Sequence, residues 1–176
     1  TQNHAAPSLG HCFVVGKETR LPEEWPWLRG GDDRYNEPTV KRTVEAATRA
    51  AADLKPVSAH AGRAIDGRVA FNRRFVMRDG TARRHPRTCD PEILHVEGPT
   101  DPEVGMLVLR DAESNAVAAL LHHTCHPTHG YPNRYVIADW PGVWAAKMEE
   151  VLGDGCVALP INGCCGNIHH RDHTNP

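Results

Sequence analysis

Apolar residues first fall into a regular rhythm at Val40, Val44, Ala47, Ala51 and Leu54, with Lys, Arg and Glu between them. Intervals of alternately four and three draw one apolar stripe along a helix. Asn36 is placed to cap it, Pro38 suits its first turn, and Pro56 lies just past its end. Before the helix, residues 1–36 read as irregular, broken by Pro7, Gly10, Pro22, Pro26 and Gly30-Gly31. After it, Val57 to Ala61 and Val69-Ala70-Phe71 read as strands. The stretch 72–103 is rich in Arg, Pro and Gly, shows no core pattern, and reads as a long loop or arm.

Beyond residue 103 the texture changes. Val104 to Leu109 and Ala116 to Leu121 are strand-like runs separated by a turn at 111–115, which predicts a hairpin. Asp139 is placed to cap a helix through Leu152, with Pro141 in its first turn, Gly153 as its stop and Val143, Trp144, Met148, Val151 and Leu152 as its buried face. Cys156 to Ile161 is a last strand. Strand, helix and strand in that order predict a parallel βαβ unit with a right-handed crossover. The chain is therefore expected to be α/β: a mixed sheet with helices packed on it, forming a single domain over 1–176. It starts at Thr1 without a methionine and stops at Asn175-Pro176, so it is expected to be part of a longer catalytic domain or a processed chain.

Composition narrows the function classes. A net charge of −2 provides no basic field for nucleic acid. The densest basic patch (Arg73, Arg74, Arg78, Arg83, Arg84, Arg87) is interleaved with few aromatics and reads as a solvated or anion-contacting arm. No apolar run approaches the roughly 18–20 residues of a membrane span, and no signal-peptide pattern is present. The cysteines form no C-x-x-C pair, so a four-cysteine zinc site is not expected, and buried reduced thiols are the plain reading.

Chemistry concentrates where strands end. In parallel sheets the ligand site lies beyond the carboxyl ends of the strands. Here those ends are His122-His123-Thr124-Cys125-His126-Pro127-Thr128-His129 and the tract 163–173, the two most histidine-rich segments. Imidazole is a common zinc ligand and the usual base near neutral pH. Strand alternation puts His122, Thr124 and His126 on one face and His123 and Cys125 on the other. Pro127 holds His126 at the strand mouth, which makes it the leading metal candidate, whereas His122, His123 and His129 read as packing. Gly163 and Gly166 allow close backbone approach to a ligand around Asn167. Cys165 is conceivable as a nucleophile beside His169, and His169, His170 and His173 read either as metal-binding or as a surface tail.

Taken together, Gln2-Asn3-His4-Ala5-Ala6-Pro7, Asn72-Arg73, His126-Pro127-Thr128, Ala138-Asp139-Trp140-Pro141-Gly142 and Gly166-Asn167-Ile168-His169 resemble, in order and rough spacing, segments of the neutral/alkaline (non-lysosomal) ceramidase family and its bacterial relatives. The family pattern runs H-T-H-S-[GA]-P, N-R, H-P-T, an Asp-containing turn and G-[DN]-x-[SN]-P. The resemblance implies a zinc-dependent amidase that cleaves an N-acyl bond with metal-activated water. By it, His126 ligates a single zinc ion and Arg73 contacts the substrate or developing oxyanion. The family's further Glu and Tyr ligands would lie beyond Pro176. Gln2 stands where the family has its first histidine, so either His4 takes over ligation or the site is weakened or lost. His169 replaces a small residue and could supply the missing nitrogen.

The expected function is thus metal-dependent hydrolysis of an N-acyl, lipid-like small-molecule substrate. His4 would serve as ligand or base, Arg73 as electrostatic stabiliser, His126 as ligand, and Asn72, Asn167 and His169 as substrate contacts. The alternative is a catalytically silent relative that binds a ligand through the same cleft, a reading motivated by Gln2.

Overall fold

The computed structural model describes residues 3–10 and 30–175. The chain divides into two compact units, Ala6–Lys55 and Thr1–Ala5 with Pro56–Pro176. The first unit holds helix α1, Asp33–Ala52. It starts earlier than its apolar rhythm indicates. Asp32, in an extended conformation, is the cap and accepts from the Arg34 N–H. Asn36 is not the cap: it lies inside the helix and its side chain exchanges hydrogen bonds with the Gly10 backbone. The expected stripe is present in register but exposed, with Val40 at 55% and Val44 at 59%. The irregular stretch expected before the helix falls largely at 11–29, outside the described residues, as does Gln2.

The second unit is built on a four-stranded mixed sheet of β1 (Ser58–Ile65), β6 (Glu103–Arg110), β7 (Ala116–His123) and β8 (Val157–Asn162), in the order β1-β6-β7-β8. β6 and β7 form the expected hairpin, closed by Asp111, whose carboxylate accepts from the Asn115 N–H at 2.8 Å. β7 and β8 run parallel and are joined through helix α2, Asp139–Leu152. Trp144, Ala145, Met148 and Leu152 of α2 pack on Val108, Ala119, Leu121 and Ala158 of the sheet. Val143 and Val151, expected on this buried face, point elsewhere and are exposed. An i, i+3/i+4 stripe covers a sheet with only part of its apolar residues.

The arm at 72–103 is not a coreless loop. It contains β2 (Phe71–Asn72), β3 (Arg74–Met77), β4 (Ala82–Arg84) and β5 (Ile93–Val96). β3 is central in a three-stranded sheet of order β4-β3-β5, and its Phe75 and Met77 are among the most buried side chains. The alternation Phe75-Val76-Met77 is too short, amid six arginines, to stand out as a strand pattern. β2 pairs antiparallel with β9 (Ile168–His169), setting Phe71 opposite His169 and Asn72 opposite Ile168. This ladder ties the arm to the C-terminal tract. Ala70, Cys125, Cys165 and Ile168, with Trp140, make a second small core directly beneath it.

Candidate functional site

The parallel pair β7–β8 brings the two histidine-rich tracts to one edge. Beyond the last ladder pair, His123 opposite Asn162, the chains remain clamped. The Gly163 N–H donates to the His123 carbonyl (3.2 Å), and the Asn162 side chain donates to the Cys125 carbonyl (3.1 Å). Thr124, Cys125, His126 and Thr128 are all buried, and Pro127 is among the most buried residues of the chain.

His126, 4% exposed, donates through Nδ1 to the Cys165 carbonyl at 2.9 Å. A carbonyl can only accept, so the ring proton is on Nδ1 and the lone pair is on Nε2. Burial lowers the His126 pKa despite that bond, and the charges of Arg73 and His4 lower it further. The ring is therefore held neutral, the form a metal ligand or base requires. His4 reaches the same place from the start of the chain. Its N–H donates to the Pro127 carbonyl, Asn3 donates to the Ile137 carbonyl, and Ile137 donates to the Ala5 carbonyl. Its Nε2 lies 2.9 Å from His126 Nε2.

Arg73 sits beside this pair. Its Nε and Nη2 both donate to the Gly166 carbonyl (3.1 and 2.5 Å), and its own N–H donates to the Asn167 carbonyl. Burial and the nearby Arg84 charge lower its pKa. Asn72, buried, spends its amide within the arm: Nδ2 donates to the Gly98 and Pro99 carbonyls and Oδ1 accepts from the Arg74 N–H. It thereby anchors the link between β2 and β3 that carries Arg73. Cys165 is buried, and burial raises its thiol pKa, the opposite of what an activated nucleophile needs.

Histidines continue along the edge. His129 Nδ1 donates to Asp139 at 3.1 Å and stacks on His170 at 3.9 Å, and His170 stacks on His169 at 4.2 Å. Asp139 is the first residue of α2 but not its cap; that is Ala138, without a side-chain bond. Burial pushes the Asp139 pKa up, yet N–H bonds from Gly130 and Trp140, with His129, outweigh it and hold it below its ordinary value. His85, His169 and His173 form a further group in which one ring nitrogen of each lies within 4.8 Å of the others, a set that could hold a metal ion. The sequence pointed to His169, His170 and His173 together, as metal-binding or as a surface tail. It did not point to His85, a lone imidazole in an arginine-rich arm. His123 packs edge-on against Trp140 and Trp144 in an apolar cleft of about 350 Å³ that His129 also lines, and neither of its ring nitrogens has a hydrogen-bond partner among the described residues.

With this geometry in place, comparison with solved structures finds the same fold in two ceramidases. A neutral ceramidase from Pseudomonas aeruginosa superposes with a TM-score of 0.59 at 20% identity, over 79% of this chain and 21% of that one. A ceramidase complexed with C2 gives 0.60 at 20% identity, over 80% of this chain and 21% of that one. The chain thus spans about a fifth of the length of the structures it matches. No family model matches the sequence, and no curated protein matches it. No helix among the described residues is long and apolar enough to cross a membrane.

Proposed function

We propose that the chain carries part of the active site of a ceramidase-like, metal-dependent hydrolase that cleaves N-acyl amide bonds in a lipid-like substrate. One observation carries the reading. At the mouth of the parallel strand pair, in a fold shared with neutral ceramidase, His126 is locked by Nδ1 with its Nε2 directed at His4.

The donor set suits zinc. A ligating histidine usually gives its other ring N–H to a carbonyl or carboxylate, as His126 does to Cys165. His126 and His4 would supply two of the three protein ligands usual at a catalytic zinc. Zinc held there would polarise a carbonyl and acidify a coordinated water. The chain's own groups set the surroundings. Arg73, pinned on the Gly166 carbonyl, keeps a fixed positive charge where the amide oxygen gains negative charge. Asn167, whose carbonyl accepts from the Arg73 N–H, and His169 are assigned to substrate contact, and Asn72 anchors the segment that carries Arg73.

Release of fatty acid from an N-acylated long-chain amine by the full-length protein tests the reading. Activity is expected to be lost with a chelator, restored by zinc, and lost in His126→Ala. No release of acid with zinc in excess overturns it and leaves a silent binding protein.

A further inference from the structure

The group formed by His85, His169 and His173 lies outside the His4–His126 pair and has its own cavity. His85, exposed, directly follows β4, and its backbone there is left-handed (φ 53°). His169 is on β9, and buried His173 follows it by four residues. A cavity of about 480 Å³ opens beside them, lined also by Arg87, Thr88 and Arg171. Nothing in the proposed amide chemistry uses His85 or His173.

The spacing of this group suits a shared metal ion. Four ligands at about 2.0–2.1 Å around a tetrahedral zinc lie about 3.3–3.4 Å from one another. His85 Nδ1 and His173 Nε2 are 3.4 Å apart, long for a hydrogen bond but matched to one edge of that tetrahedron. A ring nitrogen of His169 lies within 4.8 Å of the other two and supplies the third donor. Burial, reinforced by neighbouring positive charges, lowers the pKa of all three rings, so they are neutral and ready to ligate at physiological pH.

We propose that His85, His169 and His173 form a second metal site that binds one zinc-type divalent ion and ties the β2–β5 arm to the C-terminal tract. The cavity leaves the fourth position to water or to an anionic oxygen, which the lining Arg87 and Arg171 favour. Two contacts are exchanged on binding. Ligation at His85 Nδ1 puts the ring proton on Nε2 and displaces Arg73 Nη1, now 3.3 Å away, while the Arg73 bonds to Gly166 remain. Ligation at His169 Nε2 releases the Arg171 N–H from Nδ1.

The test uses the full-length protein stripped with a chelator and titrated with cobalt(II), whose visible absorption reports tetrahedral coordination, and then with zinc. The expected result is two equivalents bound in the wild type, of which one, with a tetrahedral spectrum, persists in His126→Ala. Added to the His126→Ala background, exposed His85→Gln and partly exposed His169→Gln should each weaken the remaining binding at least tenfold and abolish the remaining band, with folding checked by circular dichroism. X-ray absorption of His126→Ala loaded with one equivalent of zinc should count three imidazoles, which decides the matter even if the His85 or His169 variant fails to fold. Unchanged binding and spectrum on adding either His85→Gln or His169→Gln to that background, or loss of the band in His126→Ala, overturns the site. Because the readout is metal coordination, it stands or falls separately from the amidase activity.

Discussion

His4 and His126 meet Nε2 to Nε2 at 2.9 Å although 122 positions separate them in the chain. The contact depends on two arrangements: the hydrogen bonds that hold residues 3–5 to Pro127 and Ile137, and the anchoring of His126 Nδ1 on Cys165. If the two rings act as one unit, their contributions to catalysis are not separable. His4→Ala and His126→Ala are each expected to lower kcat/KM by about 10²-fold or more. The double variant should be little worse than the poorer single variant. A full kinetic cycle on an N-acyl substrate checks this, and multiplicative losses would show that the rings act independently.

Gly163 and Gly166 flank the same turn but are predicted to differ. A Cβ on Gly163 would collide with the Thr124 hydroxyl and lie 2.9 Å from His122 Nε2, whereas a Cβ on Gly166 meets nothing within 4 Å. Gly163→Ala is expected to destabilise by about 1–3 kcal/mol through overpacking at the strand mouth. Gly166→Ala is expected to be nearly neutral. Paired urea melts of the two variants make the comparison.

Phe75 measures how far the arm is part of the folded core. It is 1% exposed, at the centre of the β4-β3-β5 sheet. Phe75→Ala is expected to cost about 3–5 kcal/mol. A cost below about 1 kcal/mol in equilibrium unfolding would mean that the arm contributes no packed core.

Stability should fall on the acid side. Burial, with the charges of His170, His85 and Arg73, lowers the His169 pKa from 6.5 to about 3 in the folded chain. Between those values the unfolded chain takes up a proton that the folded ring refuses, so the unfolded state gains as pH drops. The loss should begin as pH falls through the unfolded value and level off near the folded one. The urea midpoint of metal-free protein is therefore expected to be lower at pH 5 than at pH 7.5, with a shallower slope in His169→Asn.

Much of this protein was legible from local pattern. The 4-and-3 rhythm marked α1, the apolar runs marked the β6–β7 hairpin, and strand–helix–strand order marked the parallel β7–β8 pair. Because side-chain period and connection rules are local, they also placed the two histidine tracts at one sheet edge and singled out His126 at the strand mouth. What the pattern could not carry was long-range pairing. The short alternation around Phe75 became a strand only because β4 and β5 flank it, and the β2–β9 ladder set the arm against the C-terminal tract. Asn36 and Asp139, both polar residues near helix starts, were cap-like in sequence, yet tertiary partners drew their side chains away to Gly10 and to Gly130 and His129. His85 joined His169 and His173, and His4 joined His126, through contacts between segments 84 and 122 residues apart or more. Residue type along the chain determined which groups could ligate or titrate. Only the folded arrangement, through backbone pairing that no local period encodes, decided which of them meet.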